Sequence, residues 1–191
     1  MPINNWDEID RIAGYMSRPE CEWLASTASK VYSWTELGGY CGRSIMAVAL
    51  HLPKGASLRV VDLYLGQCMA AGQTLFTTYN EITQKRPDLT WILVRMDSAR
   101  AAEVLPETEV CFVDASHAYE NVKADILAWQ SKSDILCGHD YGYEAWKGVK
   151  QAVDELLPDP ERPAGSIWVA RNQSAQANGT QPAISSQLAG P

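Results

Sequence analysis

ELGGYCGRS, Glu36 to Ser44, stands between a strand-like run, VYSWTEL (Val31 to Leu37), and a helix-like one, SIMAVALHL (Ser44 to Leu52). β-Branched and aromatic residues fill the first run, and the second carries apolar residues at helical spacing. Between them Gly38, Gly39 and Gly42 let the backbone turn sharply, so that N–H groups at the start of the next helix can face an anionic ligand. The spacing is E-x-G-x-x-x-G rather than the G-x-G-x-x-G of dinucleotide binders. A tight turn needs glycine in any case, so the loop taken alone leaves a purely structural reading open.

Outward from this loop, strand and helix take turns. LRVVDLYL (Leu58 to Leu65), a helical stretch near Met69 to Arg86, LTWILVRM (Leu89 to Met96) and EVCFVDA (Glu109 to Ala115) follow in order. Then come the helix-like YENVKADILAWQ, the strand SDILCGH, the helix-like EAWKGVKQAVDELL and a late strand, SIWVAR. Such alternation predicts an α/β fold, a doubly wound, Rossmann-like and mostly parallel sheet wrapped by helices. Two short amphipathic helices, within Trp6 to Met16 and Glu20 to Lys30, precede the first strand. After Arg171 the chain is polar, small and punctuated by Pro and Gly, too poor in apolar residues to order itself. The expected organisation is a helical cap or lid over 1–30, one domain over 31–171 and a flexible tail over 172–191.

Composition narrows the function. The 191 residues, 46% hydrophobic, suffice for one globular core. A formal net charge of -7 argues against a nucleic-acid partner, since phosphate backbones are bound by clustered Lys and Arg. The start MPINNWDEIDRI lacks the basic and apolar regions of a secretory signal, and no run is long enough to span a membrane, so a cytoplasmic chain is expected. The five cysteines (Cys21, Cys41, Cys68, Cys111, Cys137) are scattered, never C-x-x-C, and are expected to be reduced thiols.

In open α/β sheets ligands bind outside the carboxyl ends of the strands. Asp62 ends the second strand, where a carboxylate can accept hydrogen bonds from both hydroxyls of a ribose; its alternative is a solvated strand end. Asp114 and Asp140 end the fourth and fifth strands, close enough in topology to converge on a hard divalent cation. The competing reading is two solvated acids without a metal. Of only three histidines, His117 and His139 lie beside these aspartates, while His51 reads as structural. His117 suits a general base because imidazole titrates near neutrality; a helix cap before Tyr119 is its alternative. Among the many aromatics, Trp6, Trp23, Tyr141, Tyr143 and Trp146 flank the expected active face, with Trp146 at helical spacing to Val149 and Val153 and so expected in the core.

ELGGYCGRSIMAVALHLPKGASLRVVDL resembles the first cofactor motif of small-molecule O-methyltransferases, in wording nearest the catechol enzymes. FVDASHAYENVKADILAW and ILCGHDYG with GVKQAVDELL resemble the macrocin-type (macrolide-sugar) O-methyltransferases. The likeness spans roughly Val31 to Arg171. It implies a class I methyltransferase fold with a seven-stranded sheet and S-adenosyl-L-methionine as cofactor. By the same resemblance Glu36, Gly38, Gly39, Tyr40 and Ser44 belong to the methionine side of the cofactor site, and Asp62 with Leu63 to its ribose. Asp97 and Ser98 belong beside the adenine, unless Ser98 is an ordinary helix start, and Asp114 lies next to the cofactor.

The resemblance also makes Asp114 and Asp140 metal ligands. His139 stands where the families often carry a carboxylate, so it is a third candidate ligand; Mg²⁺ is the expected ion, with the imidazole favouring Mn²⁺, Fe²⁺ or Zn²⁺. His117 occupies the position of a catalytic lysine or histidine. The function expected is methyl transfer to the hydroxyl of a small hydroxylated acceptor, with His117 and Asp114 catalytic. The alternatives are an idle S-adenosylmethionine-binding module and a metal-dependent hydrolase built on Asp114, His117 and Asp140. Neither nucleic acid nor membrane is an expected partner, and assembly into a homo-oligomer is left open.

Overall fold

A computed structural model describes residues 6–63 and 74–172. The chain starts with helices α1 (Trp6–Asp10) and α2 (Arg18–Ala28), then runs β1 (Ser33–Leu37), α3 (Arg43–His51), β2 (Ser57–Val61), α4 (Leu75–Lys85) and β3 (Thr90–Val94). It continues through α5 (Ser98–Val104), β4 (Thr108–Val113), α6 (Tyr119–Trp129) and β5 (Ser133–Gly138). A 3₁₀ turn (Glu144–Trp146), α7 (Lys147–Leu156) and β6 (Trp168–Arg171) complete it. Tyr64, Leu65, residues 69–73, Cys68 and all but the first residue of the expected tail lie outside the described residues.

The strands form one sheet in the order β3-β2-β1-β4-β5-β6, parallel throughout except for β6, which runs antiparallel to β5. Alternate side chains of each strand enter opposite layers, as a two-faced sheet requires. Trp34, Leu58, Val60, Val110 and Phe112 pack with α1 to α4 on one face. Leu37, Val61, Cys111, Val113 and Trp168 pack with α5 to α7 on the other. The doubly wound expectation therefore holds, but the sheet has six strands among the described residues rather than seven. The strand-like runs in the sequence themselves number six; the seventh came only with the resemblance, and here β5 pairs directly with a single antiparallel edge strand.

The N-terminal helices belong to the first of these layers. Ile9, Ile12, Cys21, Leu24 and Ala28 are fully buried in the cluster that holds α3 and the sheet. A Pro at the first turn and a Ser17/Glu20 capping box start α2, which satisfies N–H groups that a helix leaves unpaired. Cys41 is disulfide-bonded, contrary to the expectation of reduced thiols, whereas Cys21, Cys111 and Cys137 are buried and free. Scattered spacing excludes only local pairing; it does not constrain bridges between residues that the fold brings together. No helix among the described residues is long and apolar enough to cross a membrane.

Candidate active site

The order of strands reverses between β1 and β4, and the crevice outside their carboxyl ends is where an open α/β sheet receives a ligand. β1 leads into Gly38, whose N–H donates to the Val61 carbonyl at 2.8 Å. Gly38 has φ +91°, and a Cβ there would lie 2.2 Å from the backbone oxygen of Asp114. Only glycine allows the turn after β1 to pass this close to the end of β4. Gly39 donates its N–H to Asp62 Oδ2 at 2.8 Å, so the carboxylate at the end of β2 shapes the loop as well as facing the crevice. Gly42, also left-handed, is the N-cap of α3, and Thr78 of α4 donates its hydroxyl to the Cys41 carbonyl at 2.6 Å, tying the loop down.

Behind the loop, Ser44 donates its hydroxyl to Glu36 at 2.5 Å. Glu36 is completely buried, and burial pushes its carboxyl up to about 8. It is not among the residues that line the crevice, and it supports Ser44 from beneath. Tyr40, with φ 43°, projects outward and tilts its ring against that of Tyr15, 5.7 Å away.

A cavity of about 1050 Å³ opens over these strand ends. Its wall includes Gly38, Gly39, Tyr40, Ser44, Asp62, Asp114, His117, His139 and Asp140, so most of the candidates drawn from distant parts of the sequence meet here. Leu63, Asp97 and Ser98 are not among its lining residues. Leu63 is exposed. Asp97 is the N-cap of α5, accepting the Arg100 N–H at 3.0 Å, and Ser98 is the first residue of that helix, its carbonyl accepting the Trp129 indole N–H at 2.9 Å. The helix-start reading accounts for both positions.

At the β4 and β5 ends, one oxygen each of Asp114 and Asp140 and one ring nitrogen of His117 lie within 4.8 Å of one another. Two carboxylates and an imidazole converging this way form a donor set suited to a divalent cation. His117 Nε2 is 2.7 Å from Asp140 Oδ2, and its ring stacks on Trp146 at 4.2 Å. The hydrogen bond to Asp140, only partly opposed by burial, raises the His117 imidazole above its ordinary value. Burial pushes the Asp114 carboxyl up to about 7, with Asp140 adding to the rise and His139 and His117 opposing it. Asp140 sits at φ 63°, a left-handed conformation rare outside glycine, which turns its side chain back between the two histidines.

His139 lies deeper. Its Nδ1 is 3.3 Å from Asp140 and 3.8 Å from Asp114, and its Nε2 is 3.2 Å from Glu20. Both ring nitrogens face carboxylates, and the ligand set that converges contains His117 in its place. Burial pulls the His139 imidazole down, but Asp140 and Glu20 outweigh it and hold the ring at about 10. Burial likewise opposes ionisation of Glu20 and Asp140, yet hydrogen bonds hold both carboxyls well below the usual range: those from His139, Ser17 and Ser166 on Glu20, and those from His117 and His139 on Asp140.

The expected N-terminal cap supplies the far wall, but sequence reasoning named none of its lining residues, Tyr15, Met16, Ser17 and Glu20, nor Arg43, Arg162 and Ser166 beside them. Ser17-x-x-Glu20 was readable as a helix start, but the second use of Glu20, on His139 and Ser166, joins residues more than a hundred positions apart. Trp146 is 42% exposed rather than in the core, because the helix begins at Lys147 and leaves the indole in the 3₁₀ turn, against His117. His51 is structural as expected, with Nδ1 2.8 Å from the Ala47 carbonyl oxygen.

The model of a methyltransferase domain family matches residues 35–141. No curated protein sequence matches the chain. Among solved structures, CalS11, a TDP-rhamnose 3'-O-methyltransferase of calicheamicin biosynthesis, is 17% identical with a TM-score of 0.60, over 90% of this chain and 87% of that one. An O-methyltransferase from Bacillus cereus in complex with SAH is 14% identical with a TM-score of 0.62, over 87% and 86%. The SAH-bound Podospora anserina methyltransferase PaMTH1 is 19% identical with a TM-score of 0.57, over 88% and 86%. At these identities the likeness is one of fold.

Proposed function

The chain belongs to the methyltransferase domain family, and from that premise we propose that it uses S-adenosylmethionine to methylate a hydroxyl of a small molecule with the help of a divalent cation. The observation that carries the reading is that the glycine loop and the Asp114/His117/Asp140 cluster border one cavity. A donor's methyl group and an acceptor's hydroxyl can thus be held side by side, and positioning of this kind supplies most of the acceleration in a direct displacement.

In this mechanism Gly38, Gly39 and Tyr40 frame the methionine half of the cofactor, and Ser44, steadied by Glu36, offers its hydroxyl. Asp62 accepts hydrogen bonds from the ribose. Asp114, Asp140 and His117 are the residues able to hold Mg²⁺ or Mn²⁺, which when bound lowers the pKa of a coordinated hydroxyl and orients it. His139, fixed between Glu20 and Asp140, positions the carboxylate rather than ligating. His117 is also the group placed to take the acceptor's proton. Its Nε2 is bonded to Asp140, so the proton is taken on Nδ1 while that bond holds, as in other carboxylate–histidine pairs, or on Nε2 only once the bond is given up.

Calorimetry with S-adenosylhomocysteine tests the cofactor half. Asp62→Ala should weaken binding by ~1–3 kcal/mol, the scale of lost hydrogen bonds to a charged group; unchanged affinity would remove Asp62 from the site. The metal half is tested by adding a chelator to a methyl-transfer assay over a panel of catechols and sugar hydroxyls. Transfer should stop while S-adenosylhomocysteine still binds. Full activity in chelator would leave the cluster a charge network without a metal.

A further inference from the structure

We propose that Arg162 selects the acceptor by receiving an anionic group, a carboxylate or a phosphate, carried on the molecule whose hydroxyl is methylated. The inference rests on the methyltransferase reading and adds the chemistry of its substrate. Arg162 lies in the loop between α7 and β6 and borders the cavity, next to the turn that follows Asp140. Its guanidinium carbon is 4.6 Å from the centroid of the Tyr141 ring, and Nη2 donates to the Tyr141 carbonyl oxygen at 3.4 Å. A Cβ added to Gly142 would lie 3.5 Å from the same nitrogen.

The base of this arginine is fixed. Glu161 exchanges backbone hydrogen bonds with Val169, each 2.9 Å, so the loop is held against the sheet edge. The acids nearby are committed elsewhere. The Glu161 carboxylate takes Arg171 at 2.8 Å, and Asp154 accepts the Tyr141 hydroxyl at 2.6 Å and also binds Lys150, whose ammonium lies 5.4 Å from the Tyr141 ring centroid. Most other charged groups on the cavity wall are occupied as well, and Asp114 faces His139 at 3.8 Å. Arg43 is paired with Asp10, Glu20 with His139, Ser17 and Ser166, Asp140 with both histidines, and Asp62 accepts the Gly39 N–H. Arg162 has no carboxylate within ion-pair distance among the described residues.

A guanidinium has five N–H donors in a planar fork that matches a carboxylate or phosphate edge. Only one is spent among the described residues, and the cation–π contact with the Tyr141 ring holds the guanidinium beside the cavity, which lessens the entropy lost when an anion binds. Tyr143 and Trp146, 59% and 42% exposed, line the same cavity and offer apolar surface for the body of the acceptor. The acceptor this wall fits has a hydroxyl for the Asp114/His117/Asp140 cluster, an apolar or planar middle and an anionic end.

The test needs no knowledge of the natural acceptor. Protein loaded with S-adenosylhomocysteine is titrated calorimetrically with benzoate, phenyl phosphate and the neutral benzyl alcohol, in the wild type, Arg162→Gln and Arg162→Lys. The wild type should bind an anionic probe about tenfold or more tightly than benzyl alcohol, the scale of charge-assisted hydrogen bonds. Arg162→Gln should erase that preference and Arg162→Lys restore part of it, with the melting midpoint and S-adenosylhomocysteine affinity as in the wild type. Benzoate and phenyl phosphate together show whether the site accepts a carboxylate, a phosphate or both. Equal binding of the three probes, or a preference that survives Arg162→Gln, overturns the proposal and leaves the methyltransferase reading intact. Loss of S-adenosylhomocysteine affinity in Arg162→Gln would reassign the arginine to the cofactor and overturn it too. Failure of the wild type to bind S-adenosylhomocysteine would remove the parent reading, and this one with it.

Discussion

Glu36 lies behind the glycine loop rather than on the cavity wall. It is fully buried, bonded to Ser44, and its carboxyl is pushed up to about 8. In the unfolded chain it would ionise near 4.5. Between those values the folded state holds a proton that the unfolded state releases, so stability falls as pH rises through this window and levels off above about 8. The slope from this one group is at most about 1.4 kcal/mol per pH unit. Melting curves from pH 5 to 9 should therefore drop more steeply for the wild type than for Glu36→Gln, which keeps the shape without the titration; parallel curves would show that Glu36 is ionised in place. His117 calls for a different readout. A general base contributes ~10²–10⁴-fold to the chemical step, whereas a lost helix cap costs ~1 kcal/mol of stability. His117→Gln should depress single-turnover transfer far more than the melting temperature, and early melting with normal turnover would make it a structural residue.

At the scale of elements, α2 is held by its first turn. Ser17 and Glu20 form a capping box, and the same Glu20 carboxylate accepts from His139 at 3.2 Å and from the Ser166 N–H at 2.8 Å. These two uses predict unequal costs. Ser17→Ala loses a cap, ~1 kcal/mol, while Glu20→Ala removes the carboxylate on one side of a buried imidazolium and leaves only Asp140 and the more distant Asp114 on the other, and breaking a buried pair costs ~3–5 kcal/mol. Denaturant titrations should separate the two variants by that difference, and equal losses would reduce Glu20 to a cap. This helix also marks where the sequence stops being readable. Six strand runs, the glycine loop and the acids at four strand ends were legible because a parallel sheet carries its strand ends to one edge, and periodicity finds strands. Asp62, Asp114, His117 and Asp140 reach the cavity for that reason. Glu20, Ser166 and Arg162 arrive through contacts between distant segments that no local spacing encodes. Trp146 was misplaced because its helical register with Val149 is interrupted by the 3₁₀ turn.

For the whole molecule, the N-terminal segment serves both the cavity and the sheet. Residues 14–17 and Glu20 line the cavity, as a cap should. The same segment also sends Ile9, Ile12, Cys21, Leu24 and Ala28 into the cluster that covers α3 and one face of the sheet. Burying a side chain of the Leu or Ile kind stabilises by ~1.5–3 kcal/mol, so losing this set would remove much or all of the ~5–15 kcal/mol that typically holds a domain together. It would also bare the face of α3 on which α1 and α2 lie. The chain begun at Val31 is therefore expected not to fold, showing neither a cooperative melt by circular dichroism nor S-adenosylhomocysteine binding by calorimetry. In the full chain Leu24→Ala should cost ~2–5 kcal/mol, as a core truncation does, with cofactor affinity retained once the variant is folded. A detachable lid gives the opposite pattern: a folded fragment over 31–191 that still binds S-adenosylhomocysteine, and a Leu24→Ala variant as stable as the wild type. Because Glu20 and His139 link this segment to Asp140, the welded arrangement further requires that a loosened N-terminal segment disturb the Asp114/His117/Asp140 cluster. Leu24→Ala should then weaken divalent-ion binding more than cofactor binding when both are titrated calorimetrically, and equal effects on the two would separate the cap from the cluster.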